Sequence, residues 1–249
     1  MTDVAVQFLK RAIFPIAVLL GAMVAIGLLI TKALLHVWPL TVEDTVNREL
    51  EDDRSTDANA VSLVFSTLAS TPAVIAVTVL AALALRLTLK RWRESIFLCA
   101  AVCAQAAVFY VTTLAIDRPR PAVDHMDVSP PTSSFPSGHT SASVALYLGL
   151  AVILARLANR TWLRAACWLL LIVPLGVALG RMYRGMHHPS DVIASLLNGG
   201  ICVLVMARAI LDRRGPRAAD HSQVNGVTTA RTRASARARD AASASGPSA

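Results

Sequence analysis

The stretch that decides the fold is Ser134–Ser141, SFPSGHTS, which runs directly into an apolar segment from Val144 to Leu154. A Ser-Gly-His start leaves several backbone N–H groups of the first helical turn without intrahelical partners. Together with the helix dipole, these groups form a ready site for an oxyanion such as phosphate. An ordinary helix N-cap at Ser137 explains the same residues. Taken alone, the stretch favours the N-cap, with polar groups held at the edge of a membrane.

A second polar stretch, residues 180–191 with the sequence GRMYRGMHHPSD, precedes another apolar segment, Val192 to Met206. His187 and Asp191 are four residues apart, so a carboxylate in the first helical turn can reach back to an imidazole just before it. A nucleophile or base with its orienting partner has this form. The alternative is a juxtamembrane loop in which Arg and His side chains sit at headgroup depth.

The composition excludes a soluble domain. Of the 249 residues, 55% are hydrophobic and 16% are charged, and the apolar residues come in long uninterrupted segments, as in an integral membrane protein. The net charge of +8 comes from Lys and Arg scattered between apolar segments without an interleaved aromatic platform, which argues against nucleic acid as a partner. All four cysteines lie within apolar segments, so packing is their expected role and no zinc site is indicated.

The apolar segments predict an all-α bundle of six transmembrane helices. The spans are expected at about 13–35, 60–85, 95–116, 138–157, 162–179 and 192–210. The first segment is longer than the apolar part of a signal peptide and has no clear small-residue cleavage site, so a retained span is expected. Gly176 and Gly180 in the fifth span predict a close approach to another helix of the same bundle.

The distribution of basic residues predicts the orientation in the membrane. Lys10-Arg11 and the connectors 86–93 and 156–164 fall on one side, which the positive-inside rule assigns to the cytoplasm. Both termini are then cytoplasmic, and the two polar stretches face the extracytoplasmic side of a multi-pass plasma-membrane protein. The expected parts are a cytoplasmic N-terminus, 1–12, a six-span catalytic domain, 13–211, and a disordered basic tail, 212–249.

A third polar element, Asp117–Pro121 (DRPRP), follows the third apolar segment, where its prolines prevent the helix from continuing. Guanidinium groups bind oxyanions bidentately, and hydroxyl and N–H donors can complete such a site. The candidate donors are Arg118, Arg120, Arg181, Arg184, Ser137 and Gly138. Asp124, His125 and Asp127 in the loop that follows are expected to be solvated rather than to form a metal site.

Three motifs, taken in this order, resemble the type 2 phosphatidic acid phosphatase (PAP2) family. They are Arg118-Pro119, then Pro136–His139, then Arg181 followed by His187 and Asp191. The superfamily also contains bacterial undecaprenyl-diphosphate phosphatases, glucose-6-phosphatase and vanadium haloperoxidases. The resemblance covers about residues 95–210. Three separated motifs in the right order, each at a membrane edge, make a specific signal.

The resemblance implies a metal-independent phosphatase that needs no cofactor and works through a phosphohistidine intermediate. In this family pattern His187 would attack phosphorus and Asp191 would orient and charge-balance its ring. His139 would protonate the leaving oxygen and later activate water. The implied phosphoryl-oxygen ligands are Arg118, Ser137, Gly138 and Arg181, with Arg120 and Arg184 as further candidates.

Two positions depart from the family pattern. A lysine usually lies seven residues before the arginine of Arg-Pro, and that position is Val111 here. Gly180 stands where a serine usually precedes the arginine of the third motif. The missing lysine removes one phosphate contact unless Arg120 or Arg184 replaces it, and this puts substrate affinity in doubt more than the type of reaction.

The expected substrate is a membrane lipid phosphate, because acidic lipids reach an in-plane site by lateral diffusion. Undecaprenyl diphosphate, hydrolysed to the monophosphate, is the first choice, and phosphatidate or phosphatidylglycerophosphate is the close alternative. A non-catalytic membrane scaffold or lipid-binding protein is the alternative of another class, and the loss of the lysine at Val111 motivates it. A transporter would need ionisable residues deep within the spans, and these are not evident. The sequence leaves the oligomeric state open.

Overall fold

A computed structural model of the protein describes residues 6–34, 37–128 and 131–212, and these belong to one compact unit, Met1–Asp212. Within these ranges the regular structure is entirely helical. In chain order the helices are α1 (Val6–Ala33), α2 (Glu43–Asp52), α3 (Thr56–Leu68), α4 (Thr71–Leu89), α5 (Arg93–Ala115), α6 (Gly138–Leu157), α7 (Thr161–Tyr183) and α8 (Pro189–Leu211). Apart from its first residue, the predicted disordered tail lies outside the described residues, as do residues 1–5 of the predicted N-terminus.

Six of these helices, all except α2 and α3, are long and apolar enough to cross a membrane. The predicted all-α six-span bundle is therefore confirmed. Large apolar side chains on its outer surface are exposed, among them Leu80, Leu114 and Leu169, as lipid-facing positions should be. The interior core lies between α5, α6 and α8, and it includes the buried side chains Phe97, Leu98, Leu146, Ile153 and Val203.

The second span begins later than the sequence predicts. The expected segment, 60–85, is divided between α3, which ends at Leu68, and α4, which begins at Thr71 after an extended Ser70. Pro72 lies in the first turn of α4, where its missing N–H costs no intrahelical hydrogen bond. The extended backbone at Ser70 separates α3 from α4, so the two are distinct helices. With 13 residues, α3 is too short to span a bilayer.

Instead of spanning the membrane, α3 packs along α7, and glycine permits the contact. A Cβ atom built on Gly176 would lie 2.4 Å from the Phe65 ring, and one on Gly180 would lie 3.4 Å from the Ser62 carbonyl oxygen. The predicted close approach within the bundle is confirmed, with α3 as the partner helix. This packing brings Ser62 and Ser66 of α3 against the arginine side chains at the end of α7.

The acidic segment between the first two spans contains a helix rather than only a polar loop. Glu43 and Asn47 of α2 are both buried, and four residues apart they share one helix face. Asn47 donates a hydrogen bond of 3.1 Å to the carbonyl oxygen of His187. The helix α2 therefore covers the end of the bundle at which α7 ends and α8 begins.

Candidate active site

The three polar motifs of the sequence meet at one end of the bundle, beside a cavity of about 890 Å³. The charged and imidazole side chains that line it are those of Arg120, Asp127, His139, Arg181 and His187. Arg120 comes from the loop after α5, His139 from the first turn of α6 and His187 from the turn before α8. The spans thus bring residues from three separate parts of the chain to one concave surface.

His187 is buried, and its ring is fixed by a backbone group. Its Nδ1 atom lies 2.7 Å from the carbonyl oxygen of Ser134. A carbonyl oxygen only accepts hydrogen bonds, so Nδ1 carries the proton and Nε2 keeps a free lone pair. The ring is therefore held in the tautomer that a nucleophilic imidazole requires.

The pKa of His187 is lowered to about 3, first by burial and then by the nearby positive charges of Arg181 and Arg120. The Asp191 carboxylate opposes this shift and does not overcome it. The imidazole is consequently neutral across the physiological pH range, and a neutral imidazole is the form that can attack phosphorus.

Asp191 lies close to His187 without a direct hydrogen bond to it. Its Oδ2 atom is 3.9 Å from Nδ1 of His187 and accepts a hydrogen bond of 2.9 Å from the backbone N–H of His188. This second contact caps the first turn of α8. The predicted orienting role is thus shared: the Ser134 carbonyl fixes the ring, and Asp191 supplies a negative charge nearby.

Arg118 lies behind the catalytic loop rather than in the cavity wall. Its guanidinium group donates to the Asp191 carboxylate, to Ser190 Oγ at 2.7 Å and to Glu43 Oε2 at 2.6 Å. Only 3% of its surface is exposed, and it is not among the described residues that line the cavity. The sequence expectation that Arg118 contacts phosphate directly is not supported by this position, which ties the first and third motifs together.

Glu43 is a site residue that the sequence analysis did not identify. Its Oε1 atom accepts a hydrogen bond of 2.7 Å from the Ser190 N–H, and its Oε2 atom forms the ion pair with Arg118. Glu43 thereby caps the N-terminus of α8 from a helix far away in sequence. The only local signal was its helical spacing with Asn47, because both polar residues fall on the buried face of α2.

Asp127 is not solvated as the sequence suggested. Its Oδ2 atom lies 2.6 Å from Arg181 Nη1, and its Oδ1 atom lies 2.5 Å from Arg184 Nη2. Burial by itself raises the pKa of Asp127, but the hydrogen bonds and charges of Arg184 and Arg181 outweigh burial, so the pKa is lowered. Arg184, which also donates to Ser62, is committed to these contacts and does not line the cavity.

Arg120 is the guanidinium in the cavity wall that has no carboxylate partner within 4.0 Å among the described residues. Its Nη1 atom donates to the Met186 carbonyl oxygen at 2.8 Å, and its buried Nε has no hydrogen-bond partner in the part of the chain described. Burial lowers the pKa of Arg120, while Asp191 acts in the opposite direction. Arg120 is therefore placed to receive an anion. Val111, which occupies the position of the lysine in the family pattern, is 44% exposed and does not line the cavity.

Ser137 acts as the N-cap of α6. Its Oγ accepts from the backbone N–H of Thr140 at 3.4 Å, and its own N–H donates to Ser195 Oγ at 2.6 Å. Fully buried, Ser137 does not line the cavity.

Gly138 and His139 do line the cavity, and at the first two helical positions their N–H groups have no intrahelical acceptor. A Cβ atom at Gly138 would lie 2.8 Å from the Phe109 ring, so glycine is needed for this packing.

Comparison with known proteins places these motifs in a family. Residues 94–214 match the PAP2 superfamily. No curated protein matches the sequence significantly. The chain is similar in structure to the first transmembrane PAP2-type phosphatidylglycerolphosphate phosphatase from Bacillus subtilis, with a TM-score of 0.66 and 17% identity over 87% of this chain and 100% of that chain. It is also similar to LpxE from Aquifex aeolicus, with a TM-score of 0.54 and 20% identity over 69% of this chain and 98% of that chain.

Proposed function

The chain belongs to the PAP2 superfamily, and we propose that it is a lipid phosphate phosphatase whose nucleophile is His187. The observation that carries the proposal is the continuity of the cavity. His139, Arg181 and His187 line the same cavity as apolar side chains from α4 and α5, including Val74, Val102, Ala106 and Phe109. A ligand with an anionic head and an apolar chain matches a cavity that has both kinds of lining.

In the proposed reaction the Nε2 lone pair of His187 attacks phosphorus. An N–P bond forms, the bond from phosphorus to the bridging oxygen breaks, and the electron pair leaves with that oxygen. A protonated His139 gives its proton to the leaving oxygen. The second step regenerates both histidines: His139 takes a proton from water, the resulting hydroxide attacks phosphorus, and the N–P bond breaks to release inorganic phosphate.

Arg120, Arg181 and the N–H groups of Gly138 and His139 are the proposed phosphoryl-oxygen donors. All four residues line the cavity beside His187. Donors fixed in a site that excludes bulk water stabilise the charge that develops on the phosphoryl oxygens without reorganising. Arg120 then takes the place of the lysine that is absent at Val111. Arg118, Glu43 and Asp191 position the loop and α8 rather than bind phosphate.

The orientation proposed for the site is extracytoplasmic. Basic residues from the connectors meet at the other end of the bundle, where Arg91, Arg93 and Arg156 line a small common cavity with Leu211. Arg156 also pairs with Asp212 at 2.8 Å. The positive-inside rule assigns such a basic end to the cytoplasm, so the histidines face the opposite side of the plasma membrane.

Undecaprenyl diphosphate, hydrolysed to undecaprenyl monophosphate, is the substrate that we propose first. A polyprenyl chain fits an apolar cavity that lies between membrane-spanning helices, and its terminal phosphoryl group is a dianion suited to two guanidinium groups. Phosphatidate and phosphatidylglycerophosphate share both features and are the competing substrates to test.

The test is phosphate release by the purified full-length protein in detergent, with EDTA present throughout, from each of the three lipids. We expect release that tolerates EDTA, with undecaprenyl diphosphate hydrolysed fastest. His187→Ala should reduce release by about 10⁴-fold or more, as loss of a covalent nucleophile does. The matched control is His125→Ala, since His125 lies in the same group of loops, does not line the cavity and, among the described residues, has its hydrogen-bond contact with the Pro121 carbonyl oxygen.

Four outcomes would contradict parts of the proposal. Release that disappears with EDTA would overturn metal independence. Faster release from phosphatidate or phosphatidylglycerophosphate would overturn the first-choice substrate while keeping the reaction. An unchanged rate of release in His187→Ala would overturn His187 as the nucleophile. No release from any of the three lipids would favour the non-catalytic scaffold.

A further inference from the structure

Asp127 places a carboxylate among the cations of the cavity wall. Its Oδ2 atom accepts a hydrogen bond from Arg181, which lines the cavity, at a distance of 2.6 Å. Its side chain is 24% exposed, compared with 5% for Arg181 and 6% for Arg184. Asp127 and Arg181 thus both face the cavity, and Arg184, which does not line it, holds the carboxylate from the protein side.

The loop that carries Asp127 is anchored at Arg184 and not at Arg181. The Met126 N–H donates to the Arg184 carbonyl oxygen at 3.1 Å, and Arg184 Nη2 donates to the Met126 carbonyl oxygen at 3.3 Å. Arg184 Nε lies 3.0 Å from each oxygen of the Asp127 carboxylate. Asp127 can therefore give up its single contact with Arg181 and remain attached through Arg184.

We propose that Asp127 is a competing anion in the substrate site: the phosphoryl group binds by taking over the Arg181 hydrogen bond that Asp127 holds in the free enzyme. This inference rests on the proposed function. Arg181 is the cation that both anions share, because it contacts Asp127 and faces the same cavity as His187 and His139. Every incoming anion must first compensate for the lost Asp127 contact.

This competition separates two classes of phosphate by charge. A phosphodiester headgroup carries one negative charge, so it exchanges one monoanion for another and gains little in Coulomb energy. A terminal phosphoryl group carries up to two charges and gains an additional attraction to Arg120 and Arg181. A site that opens towards the bilayer is surrounded by phosphodiester lipids. Asp127 keeps these lipids from occupying the site and admits monoesters and diphosphates.

The experiment compares wild type with Asp127→Asn, both full-length and in neutral detergent. Binding of inorganic phosphate and of diethyl phosphate is measured by calorimetry at pH 8, where inorganic phosphate is largely a dianion. We expect both anions to bind the variant at least about tenfold more tightly, the scale of one charge-assisted hydrogen bond. Diethyl phosphate should bind the wild type much more weakly than inorganic phosphate. Unchanged or weaker binding by the variant would overturn the proposal and make Asp127 a positioning residue for Arg181.

Asp124→Asn is the matched control, because it removes one negative charge from the same loop at an exposed position. It should leave both affinities at the wild-type value, and tightening equal to that of Asp127→Asn would overturn the specific contact in favour of general charge. A measurement on the wild type does not depend on the folding of any variant: diethyl phosphate binding as tightly as phenyl phosphate, a monoester dianion, would also overturn the proposal.

Failure of this inference is distinguishable from failure of the proposed function. A wild type that releases phosphate from lipids while Asp127→Asn binds anions no more tightly overturns the competing-anion role alone. A wild type that neither binds inorganic phosphate nor releases it from any lipid overturns the proposed function, and the competing-anion role falls with it.

Discussion

Arg118 and Arg120 are two residues apart in one motif, yet they belong to different regions of the site. Arg118 is enclosed by Glu43, Ser190 and Asp191, behind the loop that carries His187. Arg120 lines the cavity, and within the described residues its hydrogen bond is to the Met186 carbonyl oxygen at 2.8 Å. The carboxylates of Glu43 and Asp191 neutralise the charge of Arg118. The charge of Arg120 faces the cavity, and no carboxylate of the described residues lies within 4.0 Å of it.

The difference shows that two arginines of one short motif can take different positions: Arg120 lines the cavity and Arg118 does not. Glu43, Asp191 and Ser190 hold the two terminal nitrogens of Arg118, while its buried Nε has no hydrogen-bond partner among the described residues. Arg118 thus connects α2, the loop after α5 and α8. Buried ion pairs of this kind are costly to break, because one partner is left charged and unpaired. The framework of the site and its binding surface are therefore separable by mutation.

The largest effect on stability is expected from Arg118→Gln. Glu43 and Asp191 would then remain buried without their cation, which should cost about 3 kcal/mol or more in the free energy of unfolding. Thermal unfolding in detergent measures this loss, and Arg48→Gln, on the exposed face of α2, is the control. Adding Glu43→Gln to Arg118→Gln should recover part of the loss. A double variant less stable than Arg118→Gln would break the assignment of Arg118 as a partner of Glu43.

Arg120→Gln is expected to affect catalysis and leave stability almost unchanged. Loss of one donor to the phosphoryl group should reduce kcat/KM by about 100-fold. The unfolding temperature should stay close to that of wild type, since Arg120 has no ion pair with another described residue within 4.0 Å. Phosphate-release kinetics and thermal unfolding of the same preparation test both points. A variant that loses stability but keeps kcat/KM would reverse the comparison between Arg120 and Arg118.

The pH dependence of stability tests whether burial and the cavity-wall arginines outweigh Asp191 in setting the pKa of His187. The pKa of His187 is lowered from 6.5 to about 3 by burial and by the cavity-wall arginines, despite Asp191. Between these two pKa values the unfolded chain binds a proton that the folded chain does not. Stability is thus fully present above pH 6.5 and decreases as the pH falls, by up to about 1.4 kcal/mol per pH unit.

Thermal unfolding of wild type and His187→Asn between pH 8 and pH 5 measures this contribution. The asparagine amide can keep the hydrogen bond to the Ser134 carbonyl oxygen while removing the titrating group. The variant should show a shallower loss of stability below pH 6.5. Equal slopes for the two proteins would mean that His187 titrates normally and that Asp191 compensates for burial.

The smallest effect is expected from Val111→Lys, which restores the lysine of the family pattern. Val111 is exposed on the outer surface of α5 and does not line the cavity. A lysine there should leave kcat/KM unchanged, as measured by phosphate release. An increase in kcat/KM would show that the lysine reaches the phosphoryl group and that Arg120 has not replaced it.

Much of the fold followed from local patterns. The apolar segments predicted six spans, and six helices of the required length and hydropathy are present in the described chain. The spacing of Gly176 and Gly180 predicted close packing, which occurs against α3. The start of the second span was predicted too early, because residues 60–69 and 73–85 are both mainly apolar and the short Ser70-Thr71-Pro72 break between them was included in one segment. A hydropathy pattern reports which residues are apolar, whereas a helix boundary depends on backbone hydrogen bonding.

The sequence by itself determined the membrane bundle, the family motifs and the identity of the candidate nucleophile, His187. Those features depend on hydropathy and short spacings, which are local properties of the chain. The tertiary structure alone decided the use of each arginine. Glu43 reaches Arg118 from 75 residues away, and Asp127 reaches Arg184 across 57 residues. An ion pair depends on the distance between charges in space, so two arginines in one motif acquire different roles only when the chain has folded.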